Sequence, residues 1–268
     1  MKRTISFALL MLLGDAAQAE MVNQWTFEDG TANDYVGGLS GTTYGGLKIE
    51  GGVAYFDGSD DYIQTESIQS ALSERTIVIW LSMTNFSQVN GGVFTVDDPW
   101  EPETRENQFD ALVYGERNAG AWYAGSDFGN RSYWDSEWER MDSSRSHDIM
   151  MVSISYALDD TVTMYLDGEV YGQFTSPNEI YQYEQGGANF LLGVRHSARL
   201  SEAGTNTVWN AFWEGAVYEA RVYDTALTGS EMQSLYETSE FYNVPITDSA
   251  AVLMLALGLG AGRKRKGA

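Results

Sequence analysis

Residues 146–174 read S-H-D-I-M-M-V-S-I-S-Y-A-L-D-D-T-V-T-M-Y-L-D-G-E-V-Y-G-Q-F. Three short runs rich in β-branched and aromatic residues follow one another there, at 148–156, 161–166 and 169–174. The last two are separated by Asp167-Gly168, a pair that tolerates the positive φ angles of a type I′ hairpin turn. Thr161, Thr163 and Tyr165 alternate with Val162, Met164 and Leu166, a period of two that predicts one buried and one wetted face. The segment is a three-stranded antiparallel meander, and the rest of the chain continues the pattern.

Working outward, strands are expected at 22–28, 40–44, 53–56, 62–65, 75–83, 92–96, 109–114, 120–126, 189–194 and 214–223. The 75–83 run is apolar on both faces, the signature of a central strand covered on two sides. Thr228-Gly229-Ser230-Glu231 is a capping box, which starts a short helix to about Thr238 with Met232, Leu235 and Tyr236 on its buried face. Many short strands punctuated by turns, with one terminal helix, define an all-β, two-sheet antiparallel sandwich. The 268 residues suffice for a large single core.

The ends carry a different message. Lys2-Arg3, the apolar run 5–13 and Ala17-Gln18-Ala19 form the charge, apolar and small-residue order of an export signal over residues 1–19. Cleavage after Ala19 would leave Glu20 first in a domain spanning 20–243. Beyond it, an apolar run at 250–262 precedes Arg263-Lys264-Arg265-Lys266. Thirteen helical residues reach about 20 Å, less than a bilayer's hydrocarbon core. The basic cluster would hold such a segment at the cytoplasmic face, in transient membrane contact. The tail 244–268 resembles the PEP-CTERM sorting signals of exported bacterial proteins. Val244-Pro245 matches the start of that motif, while Ile246 and Thr247 depart from it; a simple anchor is the alternative. Export to the outer surface or medium follows from both ends.

Composition narrows the function. The chain has no cysteine, which excludes thiol chemistry and cysteine-ligated metals. It holds 16 Lys+Arg and 38 Asp+Glu; the two end segments take six of the bases and two of the acids, leaving 10 against 36 and a net −26. Such a surface repels nucleic acid and anionic lipid and suits a neutral sugar or a cation.

The order of motifs points further. W-T-F-E-D-G (25–30), A-Y-F-D-G-S-D-D-Y-I (54–63), T-I-V-I-W (76–80), the 147–168 meander, L-L-G-V (191–194) and A-V-Y-E-A-R-V-Y-D-T-A-L-T (216–228) together resemble the LamG-like jelly roll of the concanavalin A-like lectin/glucanase superfamily. That resemblance implies a jelly-roll sandwich. It also implies a calcium site where the first and last strands meet, which places Glu28 and Glu219 as candidate ligands, with Tyr218 standing where the family has Asp. The turn Asp57–Asp61 is a second candidate for the ion, because calcium takes hard oxygen ligands.

Aromatics interleaved with polar residues suit pyranose rings, whose faces stack while their hydroxyls accept and donate hydrogen bonds. Trp122, Tyr133, Trp134, Asp135 and Trp138 are the candidate binding residues on this ground, with Trp209, Phe212 and Trp213 in a long insertion at 195–213. Asp135, Glu137 and Glu139 alternate as laminarinase-type hydrolases space their acids, and a retaining pair needs carboxyls about 5–5.5 Å apart. Their order departs from that family's, and no apolar strand surrounds them to raise a carboxyl pKa. His147 stands at the entry to a core strand and reads as structural; His196 has no visible partner in sequence. The expectation is a non-catalytic module binding polysaccharide or extracellular matrix. An adhesive protein with protein partners and a glycoside hydrolase on Glu137 and Glu139 are the alternatives.

Overall fold

A computed structural model describes residues 19–101, 106–116, 119–126, 141, 143–146, 148–202 and 211–242. The signal segment, the tail, His147, and the loop residues Tyr133, Trp134, Asp135, Glu137, Trp138, Glu139 and Trp209 lie outside that set.

Two antiparallel sheets enclose the core. The first contains β1 (Met21–Trp25), β3 (Lys48–Glu50), β4 (Val53–Asp57), β6 (Arg75–Ser82), β10 (Met150–Tyr156), β11 (Thr161–Leu166), β12 (Glu169–Thr175) and β14 (Glu214–Tyr223). Its order is β12-β11-β10-β6-β14-β4-β3, with β1 paired to the far half of β14. The second runs β2-β5-β13-β7-β8-β9, built from β2 (Gly41–Tyr44), β5 (Tyr62–Ser67), β13 (Asn189–Leu192), β7 (Gly91–Glu101), β8 (Glu106–Tyr114) and β9 (Trp122–Ser126). Ile77, Ile79 and Leu81 of β6 face Phe94, Leu112 and Phe190 across the inter-sheet core. Val78 and Trp80, on its other face, enter a smaller cluster with Tyr165 and Met232. All eight residues of β6 are buried, as its two apolar faces predict.

The meander that organises the sequence is present, and both Asp167 (φ 51°) and Gly168 (φ 84°) take positive φ. One expectation about it fails. The face of Thr163 and Tyr165 is buried, not wetted, because the helix α1 (Gly229–Thr238) lies near it and Tyr165 donates its hydroxyl hydrogen to the Leu227 carbonyl at 3.3 Å. The helix starts on the expected capping box: the Thr228 amide donates to Glu231 and the Glu231 amide donates back to the Thr228 hydroxyl.

The first strand is shorter than expected. It ends at Trp25, and Phe27 takes φ 60°, with its ring fully buried alongside Trp25 in the inter-sheet core. The chain then loops around Asp34. That carboxylate accepts hydrogen bonds from the amides of Gln24, Val36, Gly37 and Leu39 and from the Asn23 side chain. Burial alone would raise its pKa, but these bonds outweigh it and hold the group below the ordinary carboxylate value.

A pair of opposite charges joins the sheets. Arg75 of β6 and Asp110 of β8 form a fully buried ion pair, with the guanidinium 4.4 Å from the Tyr156 ring centre and 4.9 Å from that of Tyr183. Tyr183 donates to the same carboxylate at 2.9 Å.

The insertion at 195–213 is described over 195–202 and 211–213. Its two described ends fold back over the outer face of the second sheet, where Ala211 and Phe212 join Leu191 and Val194. His196 has a partner after all: it stacks on Phe109 with ring centres 4.5 Å apart and planes 13° apart. Burial, then the charges of Arg195 and Arg199, push its pKa down to about 3, so the ring is neutral throughout the physiological range.

Candidate functional site

The turn between β4 and β5 carries the chain from the first sheet to the second, and it is acidic. The Asp57 carboxylate accepts from the amides of Ser59 (2.8 Å) and Asp60 (3.4 Å), which tightens the bend. Asp61 reaches back, accepting from the Asp57 amide at 3.1 Å. In this turn one carboxylate oxygen each from Asp57, Asp60 and Asp61 lies within 4.8 Å of the others. Asp61 bears the strain of that arrangement: burial first, and then the charge of Asp57, raise its pKa to about 7. Glu214, opposite Asp57 in the β14–β4 register, is also raised, chiefly by burial. Asn85 donates to it at 2.6 Å.

Two tyrosines abut this turn. Tyr44 ends β2, Tyr62 begins β5, and the strand register sets them opposite each other. Their rings stack 4.5 Å apart with planes 7° from parallel. Tyr44 is 41 % exposed, and Tyr62 leans in turn on Phe212. Gly45 makes the approach possible: a Cβ there would lie 2.2 Å from the Asp60 carbonyl oxygen, and its φ is +79°. An exposed aromatic ledge therefore stands where Gly45 packs on the backbone of Asp60 and Asp61.

The acidic turn was legible as a possible ion site; the ledge was not, because nothing in the sequence says that residues 44 and 62 share a register. The other candidates fare differently. Trp122 is fully buried in the inter-sheet core, edge-on to Tyr114 at 5.0 Å, so its ring is unavailable to a sugar. It sits at an inward position of β9, where a large apolar ring fills the sandwich. Trp213 is buried likewise. At the expected ion site of the first and last strands, Glu219 is engaged by protein groups and Glu28 lies apart from it in the chain's exposed loop. The strands do meet, Trp25 opposite Ala220, but the buried Glu219 carboxylate accepts from Arg221 (2.6 Å) and Gln24 (2.5 Å). Arg221 in turn lies 4.6 Å from the Trp80 ring centre, so the charge of Glu219 is compensated by the protein itself. Glu28 is exposed, with its carboxylate over Gly52. A bulge between Val217 and Glu219 marks where β14 departs from regular pairing, and Tyr218 there packs on Phe241. Among the described residues the acidic group close enough together to hold a cation is Asp57, Asp60 and Asp61.

A jelly-roll sandwich of this topology defines the concanavalin A-like class, and residues 57–233 match the Laminin_G_3 model, described as the concanavalin A-like lectin/glucanases superfamily. The chain belongs to that family. No curated protein matches the sequence. Among solved structures, domain 4 of AbnA, a GH43 extracellular arabinanase from Geobacillus stearothermophilus, superposes with a TM-score of 0.60 at 18% identity. The match covers 81% of this chain and 98% of that domain, which was solved in complex with arabinotriose. Trypanosoma rangeli sialidase gives a TM-score of 0.57 at 12% identity, covering 84% of this chain and 34% of the enzyme. The binding domain of botulinum neurotoxin serotype D gives 0.52 at 10% identity, covering 81% and 50%. Likeness at these identities is one of fold.

Proposed function

We propose that the chain is an exported, non-catalytic module that binds polysaccharide or glycan of the extracellular matrix at the Tyr44–Tyr62 ledge, with calcium held in the adjoining Asp57–Asp61 turn. The observation that carries this is the stacked, half-exposed tyrosine pair on the strand ends that adjoin the backbone of the acidic turn. An aromatic face takes the apolar face of a pyranose, and neighbouring oxygens take its hydroxyls. A calcium ion needs six to eight oxygen ligands. Three carboxylates supply part of that shell, and water or sugar hydroxyls complete it. The neutral-sugar preference accords with the acidic surface, and export accords with the two end segments. Among the described residues no helix is long and apolar enough to cross a membrane. Tyr133, Trp134, Asp135 and Trp138 remain candidate binding residues on their sequence alone. That the arabinanase domain of the same fold was solved with arabinotriose makes oligosaccharide a reasonable first ligand class.

The test is a titration of the exported protein with neutral and acidic oligosaccharides, arabinotriose among them, followed by tryptophan fluorescence and calorimetry with calcium and then with chelator. Saturable binding that Tyr44→Ala weakens about tenfold, equivalent to about 1.4 kcal/mol, supports the site. Binding unaffected by that change moves the site elsewhere, and no binding to any sugar leaves the adhesive reading in its place. Release of reducing ends, lost in Glu137→Gln, would make the protein a glycoside hydrolase instead.

A further inference from the structure

At the other end of β14 from the acidic turn, the chain enters the domain beside the end of its last strand. The Glu20 backbone N donates to the Asp224 carboxylate at 3.2 Å, and the Asp224 amide donates back to the Glu20 carbonyl at 3.2 Å. Met21 then pairs with Tyr223, so Glu20 is held from both sides by the residue that follows β14. Glu20 and Asp224 both line a cavity of about 380 Å³, together with apolar residues including Leu39, Leu72 and Phe190. The charged residues that line this cavity are Glu20 and Asp224, both acidic.

Glu20 is also the residue that follows Ala17-Gln18-Ala19, the cleavage pattern of the export signal. We infer that processing after Ala19 turns the Glu20 amide into an α-ammonium paired with Asp224, so that maturation itself adds an ion pair at the end where β1 already pairs with β14. An uncleaved chain presents one neutral N–H to that carboxylate. The cleaved chain presents a cation with three hydrogens, and the bond becomes charge-assisted. Peptide-bond hydrolysis is the only covalent step: water adds across the Ala19–Glu20 bond, leaving a carboxylate on Ala19 and the amine on Glu20. The Asp224 carboxylate, 3.2 Å from that nitrogen, favours the protonated amine and raises its pKa above the ordinary α-amino value of about 8.

The sequence supplies an internal control, because Lys48 is the only lysine between residues 20 and 243. The exported protein would be sequenced by mass spectrometry and then labelled at neutral pH with an amine-reactive reagent, following the α-amine and Lys48 separately in peptide maps. The expected result is a free Glu20 terminus that labels at least about threefold faster in Asp224→Asn, a shift of half a pKa unit, with Lys48 unchanged. In the unsubstituted protein, raising the salt concentration should speed labelling of the α-amine relative to Lys48 by screening the pair. A terminus at another residue, a blocked terminus, or an α-amine rate indifferent to both Asp224→Asn and salt would overturn the inference. None of these outcomes depends on sugar binding.

Discussion

Arg75 and Asp110 face each other across the two sheets with neither side chain reaching water. The pair is bracketed by the rings of Tyr156 and Tyr183, and the Arg75 guanidinium also donates to the carbonyls of Ser73 (2.7 Å) and Tyr181 (3.0 Å). The arrangement fixes one sheet's position against the other at a point where an apolar core alone would tolerate sliding. Taking both charges out of water is costly, so removing one partner costs more than removing both.

Asp110→Asn should therefore destabilise the protein by about 3–5 kcal/mol in urea denaturation, through an uncompensated buried guanidinium. The double replacement Arg75→Met with Asp110→Leu should cost clearly less than the single one. A single variant within about 1 kcal/mol of the parent would show that Arg75 finds another counter-charge.

Asp61 sets a pH dependence of the opposite kind to most acids. Its folded pKa, about 7, lies above the ordinary 3.8, so between those values the folded chain holds a proton that the unfolded chain has released. Stability without calcium should fall as pH rises through that window and stay lower above it. Asp61→Asn, which keeps an acceptor for the Asp57 amide, should remove this dependence and be more stable than the parent at pH 8 by about 1–3 kcal/mol, allowing for screening. Millimolar calcium should stabilise the parent above pH 7 and leave the variant unmoved. Thermal melts at pH 4, 6 and 8 with calcium or chelator decide both points; parallel curves for the two proteins would remove Asp61 from the argument.

Gly168 is the second turn residue of the central hairpin and also the seat of the helix. A Cβ there would lie 3.0 Å from the Gln233 Cα and 3.1 Å from the Tyr236 Cβ, and φ is +84°. Gly168→Ala should cost at least about 1 kcal/mol from the backbone conformation, with more from displacing the helix. Denaturation should show it directly. An unchanged midpoint would mean that the helix rides over the turn without being seated by it.

Local chemistry determined much of this protein in advance. The Asp167-Gly168 turn, the capping box at Thr228 and Glu231, and the two apolar faces of β6 are contained within a few consecutive residues. Their physics needs no knowledge of the rest of the chain, and each appears where the sequence places it. The order of such signals was sufficient for the sandwich itself. Tertiary structure alone decided everything that depends on a second strand. Tyr44 meets Tyr62 because β2 and β5 share a register, and Arg75 finds Asp110 thirty-five positions away because the sheets face each other. Glu219 accepts from Arg221 and Gln24 because a bulge and a neighbouring strand aim those groups at it. Trp122 looked like a binding residue among polar neighbours and is a core residue because β9 turns that position inward. Periodicity tells which residues share a face, but only the packing of one face on another tells whether that face is wet, covered or charged.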